Sequence, residues 1–208
     1  MFLSRVEIAW ESARNPYQIH RRLWRLFPGE GKETRSNGDQ IRYGFLFRIE
    51  ECRPGRPARL LVQSRQAPQD TSGLDLIGIR EFHARPSAGQ RLAFLLTANP
   101  VKAILDTERD TKPDKRSEKC RVPLIREDEQ RTWLDRKLTG AASAEAVSIL
   151  LHGPIHFRKG ARAGKLIAVT YEGVLKVEES NTLSRLLENG IGPAKAFGCG
   201  LLLVRRLR

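Results

Sequence analysis

Three cysteines, one methionine and a 7% aromatic share are all that this 208-residue chain spends on soft or redox-active side chains. Cys52, Cys120 and Cys199 are odd in number and far apart, with no C-x-x-C pair. That excludes a disulfide framework or a zinc knuckle and reads as free thiols in a reducing compartment. No apolar run approaches the roughly 20 residues of a spanning helix, and the opening residues do not read as a signal peptide, so the expectation is a cytoplasmic protein off the membrane. His152 and His156 flank Gly153-Pro154, which breaks any helical i, i+4 metal pair. No metal site and no cofactor is expected. Acidic residues are also short, 24 against 37 Lys and Arg, for a net charge of +13. Such a surplus suits a polyanion, because each neutralised phosphate releases counterions. At 40% hydrophobic residues, the chain can still build a core.

Glycine is concentrated at the end. Gly190, Gly192, Gly198 and Gly200 fall within eleven residues and share them with Lys195. Successive amides free of side chains can converge on a phosphate oxygen, with Lys195 adding charge, so an anion-binding loop is expected. A helix C-cap at Gly190 and a tight turn would explain the first glycines alone.

Along the chain, Phe2 to Trp10 alternates as a strand, and Asn15-Pro16 opens a helix from Pro16 to Phe27. Ile19, Leu23 and Leu26 form its core stripe. Tyr17, His20 and Trp24 form a second stripe, flanked by Arg14, Arg21, Arg22 and Arg25. Gly29 to Gly38 reads as a loop. Strands follow at Gly44 to Glu51, Ala58 to Arg65 and Asp75 to Ala84, giving β-α-β-β-β, a ferredoxin-like half short of its second helix. Pro86 to Gly89 marks a boundary, dividing the chain at 1–88 and 89–208. The second half reads β-α-β-β-α-β. Its elements are an apolar strand from Arg91 to Leu105, a charged stretch from Asp106 to Lys119 and a helix from Arg126 to Leu138 with Glu127 paired to Arg131. Long strands from Val147 to Arg158 and Lys165 to Glu178, a helix from Asn181 to Asn189 and a final strand complete it. The fold class is α+β, two tandem ferredoxin-like domains.

His20 is the candidate acid or base, since an imidazole titrates near pH 6.5. Its arginine neighbours would favour the neutral form and attract phosphate. Arg158, Lys159, Arg162 and Lys165 put four cations and no acid on one hairpin tip, fit for the groove of an RNA stem, which is read by shape and backbone.

Six blocks then coincide with a known family: PYQIHRRLWRLFP (Pro16 to Pro28), ANPVK (Ala98 to Lys102), CRVPL (Cys120 to Leu124), WLDRKL (Trp133 to Leu138), YEGVL (Tyr171 to Leu175) and GIGPAKAFGCGLL (Gly190 to Leu202). In this order they closely resemble the CasE family of CRISPR-associated endoribonucleases, within the RAMP group. The resemblance implies metal-independent cleavage of CRISPR repeat stem-loop RNA by 2′-hydroxyl attack. It also implies retention of the mature guide RNA, and partnership with the other subunits of the type I-E Cascade complex. It puts the catalytic pair on His20 and Tyr17. RNA binding is expected at Arg21, Arg22, Lys102, Arg121, Arg158, Lys159, Arg162 and Lys165, and at Gly190, Gly192, Lys195, Gly198 and Gly200. The alternative is a non-catalytic RNA-binding scaffold with the same fold. The family pattern is left at Gly29 to Gly38 and at the basic tail (Arg205, Arg206, Arg208).

Overall fold

The computed structural model describes residues 1–28, 44–105 and 119–207. The loop expected at 29–38, the charged stretch at 106–118 and Arg208 lie outside the described residues.

β1 (Phe2–Ile8) leads through a one-turn helix α1 (Trp10–Ala13) into α2 (Pro16–Leu23), which tightens into a 3₁₀ turn over Trp24–Leu26. The Asn15 side chain accepts from the Tyr17 amide, and Pro16 at the first helical position donates nothing, so both early orphan donors are accounted for. Ile19, Leu23 and Leu26 are fully buried, each stabilising by ~2 kcal/mol relative to exposure. β2 (Phe45–Glu51), β3 (Ala58–Ser64) and β4 (Asp75–Glu81) complete a sheet ordered β2-β3-β1-β4, antiparallel throughout. No helix joins β3 to β4 in the described 65–74 segment.

The second sheet repeats that order. β5 (Arg91–Ala98) precedes α3 (Glu127–Leu138), then come β8 (Ala142–Leu151), β11 (Val169–Val177), α4 (Ser180–Asn189) and β12 (Leu202–Arg206), arranged β12-β5-β11-β8. Both sheets carry the ferredoxin-like connection pattern, as the α+β reading requires.

Two expected strands are each broken in two at a proline. Asn99-Pro100 ends β5, and the run continues as β6 (Val101–Leu105), which pairs only with β7 (Lys119–Pro123) among the described residues. Gly153-Pro154 ends β8, and β9 (Ile155–Lys159) pairs with β10 (Arg162–Leu166) as a separate ribbon. Proline removes a ladder donor, so the ribbons leave the sheets at these points. Arg131 also departs from expectation. It lies 3.6 Å from Asp135 and donates to the Ala144 carbonyl at 3.2 Å, tying α3 to β8 instead of pairing with Glu127.

Contacts at the end of α4 help to fasten the halves together. Gln63 Nε2 on β3 donates to the Leu187 carbonyl in the last turn of α4 at 2.7 Å, satisfying an orphan helix acceptor in a buried place. Gly190, which ends α4, abuts Leu46 of β2.

Candidate catalytic site and RNA interface

α2 brings Tyr17 and His20 onto one face, one turn apart, and the face is lined with rings. The His20 imidazole lies 5.3 Å from Phe45, 6.3 Å from Phe47 in a stacked arrangement, and 6.0 Å from Trp24 edge-on. Phe45 and Phe47 alternate inward on β2, so the strand after the 29–43 segment builds the wall behind the imidazole. Burial among these rings lowers the His20 pKa from 6.5 to about 4. The expected cause was the arginine neighbours. Desolvation is the cause that operates, because removing water penalises the charged form. The imidazole is therefore neutral at pH 7.

The far end of the chain reaches the same face. Gly190 ends α4 at φ +71°, and the Ile191 amide donates to the Gly200 carbonyl at 2.8 Å, pinching the loop shut at its base. A second 3₁₀ turn, Lys195–Phe197, packs on α2, where the Phe197 ring sits 6.5 Å from Tyr17. Sequence reasoning put the loop's glycines there for an anion. The amides of Gly190, Gly198 and Gly200 instead donate to Leu186, Lys195 and Thr97 carbonyls. The close approach they permit is to the protein itself: a Cβ on Gly190 would stand 2.8 Å from the Gly200 carbonyl, and one on Gly192 2.9 Å from Trp133. The amides of those three residues are thus engaged within the protein, where the glycines permit close packing, and Lys195 lies in the turn that contacts α2.

Of the other predicted residues, Arg21 is exposed and Arg22 half-buried, both on α2. Arg158 and Lys165 are exposed on the β9–β10 ribbon, whose strand β9 packs against α2. The side chains of Lys159 and Arg162 lie outside the described part, although their backbones pair at the ribbon tip. Lys102 and Arg121 are not brought into this group. They sit on the β6–β7 ribbon, where Lys102 Nζ is held 2.9 Å from Glu129 of α3.

Sequence reasoning overlooked the part played by four residues. Phe45 and Phe47 enclose His20, and their inward alternation was legible, but not which face they would meet. Asn15, read as a helix cap, also donates to the Arg158 carbonyl at 2.8 Å. The Phe157 ring lies tilted against Phe197, with centroids 4.4 Å apart. Among the described residues, no three His, Cys, Asp or Glu side chains are grouped to hold a metal ion. What the face offers is a neutral imidazole, a phenol and flanking cations, suited to proton transfer beside a phosphodiester.

Comparison with known proteins bears on what that chemistry serves. A family model described as CRISPR associated protein matches residues 1–206. The CRISPR system Cascade subunit CasE of Escherichia coli (strain K12) is 39% identical over 202 residues, covering 97% of this chain and 98% of that protein. A crystal structure of the CRISPR-associated protein Cas6e from Escherichia coli str. K-12 is 38% identical, covers both chains fully and superposes with a TM-score of 0.84. The CRISPR-associated endoribonuclease Cse3 of Thermus thermophilus is 34% identical, covering 91% of this chain and 90% of its own. A structure of CRISPR endoribonuclease Cse3 bound to a 19-nucleotide RNA matches at 30% identity and a TM-score of 0.75, covering 99% of this chain and 100% of that one.

Proposed function

This chain belongs to the CasE family of CRISPR-associated proteins, and on that footing we propose that it is the endoribonuclease that cuts CRISPR repeat stem-loop RNA. It retains the mature guide RNA and works in the cytoplasm beside the other Cascade subunits. Its relatives are a Cascade subunit and an endoribonuclease solved with RNA. No described helix is long and apolar enough to cross a membrane.

The reaction needs no metal and no covalent enzyme intermediate. RNA supplies the nucleophile: the 2′-oxygen attacks the adjacent phosphorus, the bond to the 5′-oxygen breaks, and a 2′,3′-cyclic phosphate results. One proton leaves the 2′-hydroxyl and one arrives at the 5′-oxygen. His20, neutral in the free protein, takes the first, and solvent water supplies the second. The Tyr17 O–H, one turn earlier on the same face, hydrogen-bonds the phosphate or the departing oxygen. Arg21, Arg22 and Lys195 offset charge as it builds on the phosphorus oxygens. Arg158, Lys159, Arg162 and Lys165 grip the stem. Lys102 and Arg121 lie on a separate ribbon and serve as outlying contacts.

One observation carries this reading: the His20 face, the end-of-chain loop and the basic ribbon meet at a single helix. The test is end-group analysis of repeat RNA cut in excess chelator. A 2′,3′-cyclic phosphate is expected; a free 3′-hydroxyl, or no cleavage without metal, contradicts the mechanism.

A further inference from the structure

An N-cap needs only one acceptor, and Ser, Asp and Asn supply it about equally well. Asn15 does more than cap. Its Oδ1 accepts from the Tyr17 amide at 3.2 Å and from the Arg158 amide at 3.2 Å, while its Nδ2 donates to the Arg158 carbonyl at 2.8 Å. The carboxamide thus answers both backbone groups of one residue on β9, as a neighbouring strand would. Serine is too short to do so, and aspartate lacks the donor. The two partners are 143 residues apart in sequence.

The ribbon has reason to need a fastening. Among the described residues, β9 and β10 pair only with each other, so neither four-stranded sheet fixes their position. A second fastening lies alongside, where the Phe157 ring contacts Phe197, which in turn faces Tyr17. Gly164, opposite Phe157 across the ribbon, leaves room for that ring, since a Cβ there would come within 2.5 Å of it.

We propose that Asn15 is a positioning residue that sets the span between the RNA-gripping ribbon and the His20 imidazole, which lies five residues further along the same helical segment. The inference rests on the function proposed above, in which the ribbon holds the stem and His20 takes the proton. A stem held at the wrong distance still binds, but its scissile phosphate sits off the imidazole. In-line attack tolerates little such displacement.

The experiment compares wild-type protein with Asn15→Ser and Asn15→Asp, reading melting temperature, stem-loop affinity, single-turnover rate at saturating protein, and the nucleotide at which the RNA is cut. Asn15→Ser keeps the cap and loses both ribbon bonds. It is expected to bind the stem-loop as wild type does, to cut about 10- to 100-fold more slowly, and to spread its cuts over neighbouring phosphodiesters. Asn15→Asp keeps both acceptor bonds and shows a smaller fall. A purely structural role would lower the melting temperature and leave the saturated rate of folded protein unchanged, which overturns the inference. So does a folded serine variant that cuts at the wild-type rate and position, or one whose affinity falls in step with its rate. Should the serine variant fail to fold, the aspartate variant decides: a slowed, dispersed cut supports the inference and a wild-type cut overturns it. A wild-type protein that cuts no repeat RNA would instead refute the proposed function.

Discussion

Tyr17 and Phe197 come from opposite ends of the chain, yet their rings face each other with centroids 6.5 Å apart. That contact seats the end-of-chain loop on the helix that carries His20.

The loop's base closes by backbone approach. Gly200 has φ +93°, and an added Cβ would lie 2.8 Å from the Ile191 carbonyl; at Gly198, φ +83°, the nearest neighbour is the Phe47 ring at 3.3 Å. Gly200→Ala should therefore cost both left-handed strain and a backbone clash, about 3 kcal/mol, and Gly198→Ala about 1 kcal/mol. Urea unfolding midpoints rank the two, and equal midpoints would mean that close packing is not what these glycines serve.

Burial of His20 also links stability to pH. Its folded pKa of about 4 lies below the unfolded value near 6.5, so the unfolded chain binds the proton more tightly. The folded state is favoured in full above pH 6.5, loses that advantage as pH falls, and has lost it all below about 4. After discounting for the ring's partial exposure, the swing is ~2 kcal/mol. His20→Phe, which keeps a ring among Phe45, Phe47 and Trp24, should lack this component. The stability difference between the two proteins, measured at pH 7.5 and pH 4, should shift in favour of the phenylalanine variant at low pH.

The same shift separates base from acid in catalysis. As a base, His20 is competent from pH 8 down to its own pKa, and kcat/KM should stay level until pH approaches about 4. An acid with that pKa would lose activity tenfold per pH unit throughout the neutral range. A profile that declines steadily from pH 5 to 8 would reverse the assignment.

Charge on the ribbon should appear in salt dependence. Arg158 and Lys165 are exposed there, and each phosphate contact adds roughly 0.7–0.9 to the slope of log affinity against log salt. The double alanine variant should flatten that slope by about 1.5. Lys102→Ala should flatten it by less than either ribbon cation does, because Lys102 is tied to Glu129 on another ribbon. Equal effects would merge the two surfaces into one.

Local chemistry accounts for what could be read in advance. Asn15-Pro16 announced α2, and the 3.6-residue spacing of Ile19, Leu23 and Leu26 identified its buried side. The expected strands at 147–158 and 165–178 each run across a break between two strands, and β8 begins at Ala142, ahead of the apolar run. Gly153-Pro154 breaks the first, and the second parts at Ile167-Ala168, which no strong local signal marks. The His20 environment was illegible for another reason: its wall comes from Phe45 and Phe47, beyond an intervening segment, and only tertiary packing decides which side they meet. The glycine cluster was seen, but backbone packing and anion binding leave the same trace in sequence. Only the amide partners told them apart.

The most direct test of the central claim incubates repeat stem-loop RNA in excess chelator with wild-type protein and with His20→Ala, measuring cleavage and binding side by side. The account predicts that the wild type cuts while the variant binds the RNA equally well and leaves it whole. Cleavage by His20→Ala at the wild-type rate would contradict it.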